Sequence, residues 1–225
     1  MKHFLTLTLL SFFVLGFNRQ TKKKIIFFGD SITESGVGPN GYIKQLDSIL
    51  VQNKQDNQYE LIGAGVSGNK IYDLYLRMDT DVLAKKPDAV VIFIGVNDVW
   101  HKRLTGTGTD PDRFERFYNA IIKKLKEKNI TVYLCTPAVI GEKNDFTNQL
   151  DGELNSYSAA IRKIAQLNKC SLIDLRQSFL DHLKQNNPDN KDRGILTTDG
   201  VHLNNAGNSF VAQQMYSVLT KGFIK

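Results

Sequence analysis

Residues 24–31 read KIIFFGDS: one lysine, four consecutive apolar side chains, then Gly29-Asp30-Ser31. The apolar residues are continuous rather than alternating, the pattern of a parallel strand covered on both faces. The same kind of run recurs at Tyr59–Ile62 (YELI), Ala89–Ile94 (AVVIFI), Ile130–Cys135 (ITVYLC) and Cys170–Leu175 (CSLIDL). Between and after them lie stretches with helical periodicity: Tyr42–Gln52, Ile71–Lys85, Asp112–Lys128, Leu154–Leu167, Leu175–Lys184 and Asn205–Leu219. In the third, Phe114, Phe117, Ile121 and Leu125 repeat at spacings of three and four, and Pro111 stands where a helix begins at little cost. Strand and helix in regular alternation predict a single α/β domain. We expect three layers, doubly wound, around a five-stranded, mainly parallel sheet with right-handed crossovers.

Composition agrees with this. The 225 residues are 41% hydrophobic and 23% charged, enough apolar surface for a core without disulfide or metal staples. A disordered acidic tail, a collagen-like repeat and a multi-span membrane protein are thereby excluded. The net charge of +6 describes a mildly basic surface. No stretch interleaves basic and aromatic residues as a nucleic-acid platform does, so no nucleic-acid partner is expected.

The first residues read differently. Lys2 and His3 precede an apolar, uncharged run from Phe4 to Phe17, shorter than the roughly 20 residues that span a bilayer. Residues 1–16 are therefore expected to be a secretory signal peptide, cleaved after Gly16, with residues 17–225 forming the exported domain. Arg19 and Lys22–Lys24 follow closely and resist translocation, which leaves an uncleaved anchor as the alternative. The two cysteines, Cys135 and Cys170, show no metal spacing. They are expected as buried thiols, with a bridge between neighbouring strands as the exported-protein alternative.

In open parallel sheets, ligands sit beyond the carboxyl ends of the strands. After the first strand stands Gly29-Asp30-Ser31, after the second Gly65-Val66-Ser67-Gly68, and after the third Gly95-Val96-Asn97-Asp98; Asp199-Gly200-Val201-His202 precedes the last helix. Each block alone is weak: Ser31 reads equally as a helix cap and Asn97 as a turn residue. Together they supply what acyl transfer needs. A serine hydroxyl requires a base within reach, the base requires an orienting carboxylate, and the oxyanion requires fixed donors. The three-residue spacing of Asp199 and His202 can bring the carboxylate to imidazole Nδ1 and leave Nε2 for Ser31. Gly68, Asn97 and the Ser31 N–H are the candidate donors. Asp30 reads first as a turn-stabilising residue.

These four blocks, FFGDSITESG, GAGVSGNKI, IGVNDVW and TTDGVHLNNAG, resemble the SGNH subgroup of the GDSL esterase/lipase family. The resemblance implies an SGNH-hydrolase, flavodoxin-like fold and a serine-dependent ester hydrolase that needs no cofactor. It implies Ser31 as nucleophile, His202 as base and Asp199 as its partner, with Ser31, Gly68 and Asn97 as the oxyanion hole. Gly63 stands where the family's second block often begins with Asn, and Ile32 where the family name implies Leu.

Two other readings compete. Gly63-Ala64-Gly65-Val66-Ser67-Gly68 matches the dinucleotide fingerprint G-x-G-x-x-G, but it follows the second strand and lacks a properly placed acid. A glycan- or lipid-binding module that no longer turns over is the second. No H-E-x-x-H or acid–histidine cluster calls for a metal. The segments Asp98–Asp110 and Pro137–Leu150 read as long, polar loops at the reactive edge, where loops set specificity. Trp100, Asp30 and Val201 are the candidates for substrate contact, and His101 stands beside them. Without a long apolar lid, acetyl esters of carbohydrates or similar polar substrates are the expected substrates of a monomeric or weakly associating enzyme. Lysophospholipase or thioesterase chemistry is the alternative.

Overall fold

The structure is a computed structural model that describes residues 21–223; the expected signal peptide lies outside these residues. Five strands form one sheet: β1 (Lys23–Gly29), β2 (Tyr59–Gly65), β3 (Ala89–Phe93), β4 (Thr131–Cys135) and β5 (Ser171–Ile173). Their order is β2-β1-β3-β4-β5 and every pairing is parallel. This is the flavodoxin-like doubly wound order, in which the chain reverses direction across the sheet between β1 and β3.

Among the described residues eight α-helices cover it: α1 (Ser31–Ser35), α2 (Tyr42–Gln52), α3 (Ile71–Asp81), α4 (Val96–Leu104), α5 (Pro111–Glu127), α6 (Asp151–Leu167), α7 (Leu175–Asn186) and α8 (Asn205–Phe223). Successive strand side chains point to opposite faces, so the continuous apolar runs feed two cores. Ile25 and Phe27 of β1 pack with Val91, Leu46 of α2, Phe179 of α7 and Met215 of α8. Ile26 and Phe28 pack on the other side with Val90, Leu74 of α3, Ile121 of α5 and Ile161 of α6. Burial on both faces is why these strands carry no polar alternation.

Two helices fall where none was expected. α1 is a single short helix whose Asp30 cap accepts from the Ile32 N–H at 3.0 Å. α4 occupies the first seven residues of the segment Asp98–Asp110, which therefore is not a long loop. Its buried residues, Val96 to Val99, all lie in the first turn, so no apolar stripe betrays it. Its charge pattern does fit a helix: Lys102 and Arg103 in the last turn complement the macrodipole. The helix expected over Ile71–Lys85 ends at Asp81 and continues as one 3₁₀ turn, Leu83–Lys85. Residues 136–150, by contrast, contain no strand or helix. Among the described residues no helix is long and apolar enough to cross a membrane. Cys135 is buried, Cys170 half-buried, and both are free thiols.

Candidate active site

The register of the sheet aligns three strand ends, with Gly29 opposite Gly65 on one side and Phe93 on the other. Ser31, Gly68 and Asn97 follow these ends within four residues and so collect at one edge. Gly65 permits this: a Cβ there would stand 2.0 Å from the Glu34 backbone nitrogen, so α1 rests directly on the end of β2.

His202 reaches Ser31 from 171 residues away, with Nε2 at 3.0 Å from Oγ. Its Nδ1 lies 2.7 Å from Asp199 Oδ2. The other carboxylate oxygen, Oδ1, accepts the N–H groups of Val201 at 3.0 Å and His202 at 2.8 Å. One oxygen therefore holds the turn and the other holds the ring. Burial acts against ionisation of Asp199, but the His202 ring and these two N–H groups hold its carboxyl below the usual carboxylate range. The pair is open to solvent, with side chains 46% and 38% exposed for Asp199 and His202. A hydroxyl facing an imidazole that is oriented by a carboxylate is the arrangement by which a serine loses its proton as it attacks a carbonyl.

Opposite this pair, Asn69 N–H donates to Val66 C=O at 3.2 Å, closing a four-residue turn. Gly68 sits third in it with φ +76°, as a type II turn requires. Glu34 of α1 accepts from both the N–H and the hydroxyl of Ser67, tying the turn to the helix that starts at Ser31. Asn97 is buried in the first turn of α4, and its Nδ2 donates to the Asn69 C=O at 3.1 Å. That bond uses one of the two amide hydrogens and orients the other. Among the described residues neither the Ser31 nor the Gly68 N–H donates to a protein group.

Three residues that the motifs did not single out hold this half. Lys70 Nζ donates to the Gly68 C=O at 2.7 Å. Arg77 Nη2 donates to the Gly29 and Ala64 carbonyls at 2.7 and 3.0 Å, and its Nε donates to Asn69 Oδ1 at 2.6 Å. Asn69 thus sits between Arg77 and Asn97. The signal for Arg77 was its place on the buried stripe of α3, three residues after Leu74 and next to Met78. A cation there needs partners: Nη1 pairs with Asp81 Oδ2 at 2.7 Å, and the sheet-edge carbonyls take Nη2.

Of the remaining candidates, Asp30 is buried as the cap of α1 and Val201 is buried in the core. Burial pushes the Asp30 carboxyl up to about 7, against the Ile32 N–H and the charges of His202 and Arg77. Asp98, whose Oδ1 accepts from the Ile71 N–H at 3.1 Å, is likewise raised to about 7 by burial. Trp100 is half-buried and stands on α4, not on a loop, with its ring 6.4 Å from His202 and 5.8 Å from His101. Burial and the charge of Lys70 push His101 below the usual imidazole range. An open cleft of about 370 Å³ runs from Asp199 past Trp100, Ile140, Arg103, Lys143 and Asn148. Gly63 and Gly65 belong to β2 itself, and of the G-x-G-x-x-G glycines only Gly68 lies in the connection to α3, where Lys70 donates to its C=O. Among the described residues no three His, Cys, Asp or Glu side chains gather at metal-binding spacing.

The model of the GDSL-like lipase/acylhydrolase family matches residues 27–210. An acetylxylan esterase of Geobacillus stearothermophilus is 27% identical over 207 residues, covering 85% of this chain and 91% of that protein. The crystal structure of an acetyl xylan esterase, AlAXEase, superposes with a TM-score of 0.85 at 62% identity, over 86% of this chain and 98% of that one. An α/β hydrolase from the metagenome of Lake Arreo, Spain, follows with a TM-score of 0.77 at 26% identity, over 88% and 95%.

Proposed function

The chain belongs to the GDSL-like lipase/acylhydrolase family and is a carboxylic ester hydrolase, and from that premise we propose that it removes acetyl groups from carbohydrates through an acetyl-enzyme on Ser31. The observation that carries this reading is the line Ser31 Oγ to His202 Nε2 at 3.0 Å and His202 Nδ1 to Asp199 at 2.7 Å.

Ser31 Oγ attacks the acetyl carbonyl while His202 Nε2 takes its proton. Asp199 keeps the remaining proton on Nδ1 and stabilises the imidazolium. The oxyanion is received by the N–H groups of Ser31 and Gly68 and by the Asn97 amide, donors already oriented before substrate arrives. His202 then gives its Nε2 proton to the departing sugar hydroxyl. Water repeats the sequence on acetyl-Ser31, releasing acetate and restoring the serine.

The substrate class rests on two supports. Two of the similar proteins are described as acetylxylan esterases. The cleft beside Asp199 also offers one aromatic face, Trp100, and the aliphatic Leu104, Ile140 and Leu150 among polar side chains such as Arg103, Lys143 and Asn148, a mixed lining that can stack a sugar ring and bond its hydroxyls. We further propose that the enzyme works outside the cytoplasm after removal of residues 1–16.

The deciding experiment compares p-nitrophenyl acetate, butyrate and octanoate, together with acetylated xylo-oligosaccharides, on the wild type and Ser31→Ala. Turnover that falls with chain length, releases acetate from the oligosaccharides and drops by several orders of magnitude in the variant is the expected outcome. A preference for octanoate would instead indicate a lipid acyl hydrolase. Undiminished turnover in Ser31→Ala would end the serine mechanism.

A further inference from the structure

Glu142 is fully buried in the segment after β4, yet it contacts none of the reacting groups assigned above. Its carboxylate accepts three backbone N–H bonds in a row: Oε2 from Ile195 at 2.7 Å, and Oε1 from Leu196 at 2.7 Å and Thr197 at 2.6 Å. Its own backbone is held as firmly, the N–H donating to the Asp192 C=O and the C=O accepting from Asn187 Nδ2, each at 2.9 Å. An ionised carboxylate is an acceptor only, so three converging donors match it and match no neutral side chain equally well.

What those donors belong to matters. Residues 195–204 form a hairpin: Thr197 bridges Leu203, Thr198 N–H donates to the His202 C=O at 2.8 Å, and Asn204 N–H donates to the Leu196 C=O at 3.0 Å. Asp199 and His202 stand at its tip. No strand of the sheet delivers this tip to Ser31. The first arm of the hairpin is gripped by Glu142, and the tip is met by the adjacent Gly141, whose N–H donates to the Gly200 C=O at 2.8 Å. Only Thr198 separates the last gripped N–H from Asp199.

We infer that Glu142 is a positioning residue for the hydrolysis: its carboxylate fixes the register of the hairpin so that His202 Nε2 meets Ser31 Oγ. The inference rests on the reading of the site given above. Displacement of a reacting group by about 1 Å can cost on the order of 100-fold in rate, and the three bonds to Glu142 guard against such a slip.

Glu142→Gln tests it, because the carboxamide fills the same space but turns an NH2 group against an N–H donor. With p-nitrophenyl acetate, kcat is expected to fall roughly 10- to 100-fold while KM stays within about twofold, since no substrate contact is removed. In the folded variant, the strongly downfield proton signal of the His202 Nδ1–H bond to Asp199 should weaken or shift. Labelling of Ser31 by a fluorophosphonate should slow in parallel. A folded Glu142→Gln protein with wild-type kcat and an unchanged His202 signal would overturn the inference, and so would a rise in KM alone. If that variant does not fold, Asn187→Ser loosens Glu142 from the backbone side. A smaller loss of kcat with the same change in the His202 signal is expected there, and no change in either would overturn the inference. Ser31→Ala serves as the control: full turnover in it defeats the reading of the site, whereas its inactivity beside an unimpaired Glu142→Gln defeats only the role of Glu142.

Discussion

The two halves of the site are built on different principles. Ser31, Gly68 and Asn97 stand within four residues of strand ends, and the sheet carries them to one place. Arg77, gripping the Gly29 and Ala64 carbonyls and Asn69, binds that half into one rigid edge. Asp199 and His202 lie instead at the tip of a hairpin outside the sheet, 46% and 38% exposed. Their position depends on side chains bonded to backbone: Asp199 on its own turn and Glu142 on the arm beneath. The contrast shows what each half must do. On the proposed mechanism, the nucleophile Ser31 and the oxyanion donors must be fixed in advance, because preorganisation is the source of their effect. His202, as the proposed base, carries a proton back and forth, and its geometry needs to be held at two nitrogens only.

The sharpest way to break this comparison is at its exposed end. Asp199→Asn keeps an acceptor for the Val201 and His202 N–H groups but turns a donor towards Nδ1, which favours the wrong imidazole tautomer. We expect kcat to fall about 10³-fold or more with little change in fold. A loss of under tenfold, measured on p-nitrophenyl acetate, would mean that water can stand in for this carboxylate and that the hairpin half tolerates change.

At the sheet half, Asn97→Ala removes one donor of the proposed oxyanion hole and is expected to cost about 10²–10³ in kcat, with KM nearly unchanged. Normal turnover in the purified variant would remove Asn97 from the oxyanion hole.

The smallest effect concerns the cost of the buried edge rather than its chemistry. Asp30 is raised to about 7 from an ordinary 3.8, so the folded state binds more protons than the unfolded state between those values. Its contribution to stability is therefore fullest below the ordinary carboxylate range and is lost as pH climbs through about 7. Asp30→Asn keeps the acceptor for the Ile32 N–H and removes the titration. Its Tm should exceed that of the wild type by a few degrees at pH 7.5 and differ little at pH 4.5. Parallel melting curves across that range would show a buried edge that bears no such penalty.

The legible parts of the sequence follow the same division. KIIFF and AVVIFI announced covered parallel strands because a strand buried on both faces has no polar alternation to confuse it. The residues beyond those strands were readable from the rule that ligands gather at the carboxyl edge. The helix at Val96–Leu104 was not, since only its first turn is buried and it carries no apolar stripe. Trp100 consequently changed from a loop residue to a helix residue while keeping its place beside His202.

The doubly wound class, the covered strands and the three-residue spacing that brings the Asp199 carboxylate to the imidazole were all legible in the residues alone. These are local properties, set by periodicity and by the reach of a side chain over a few bonds. That His202 meets Ser31 across 171 residues, that Arg77 clamps two strand ends and that Glu142 grips the hairpin below Asp199 emerge from the folded chain. Those contacts join segments remote in the chain, and several of them end on backbone N–H or C=O groups. Every residue carries such groups whatever its side chain, so no pattern of residue types reveals which of them will meet.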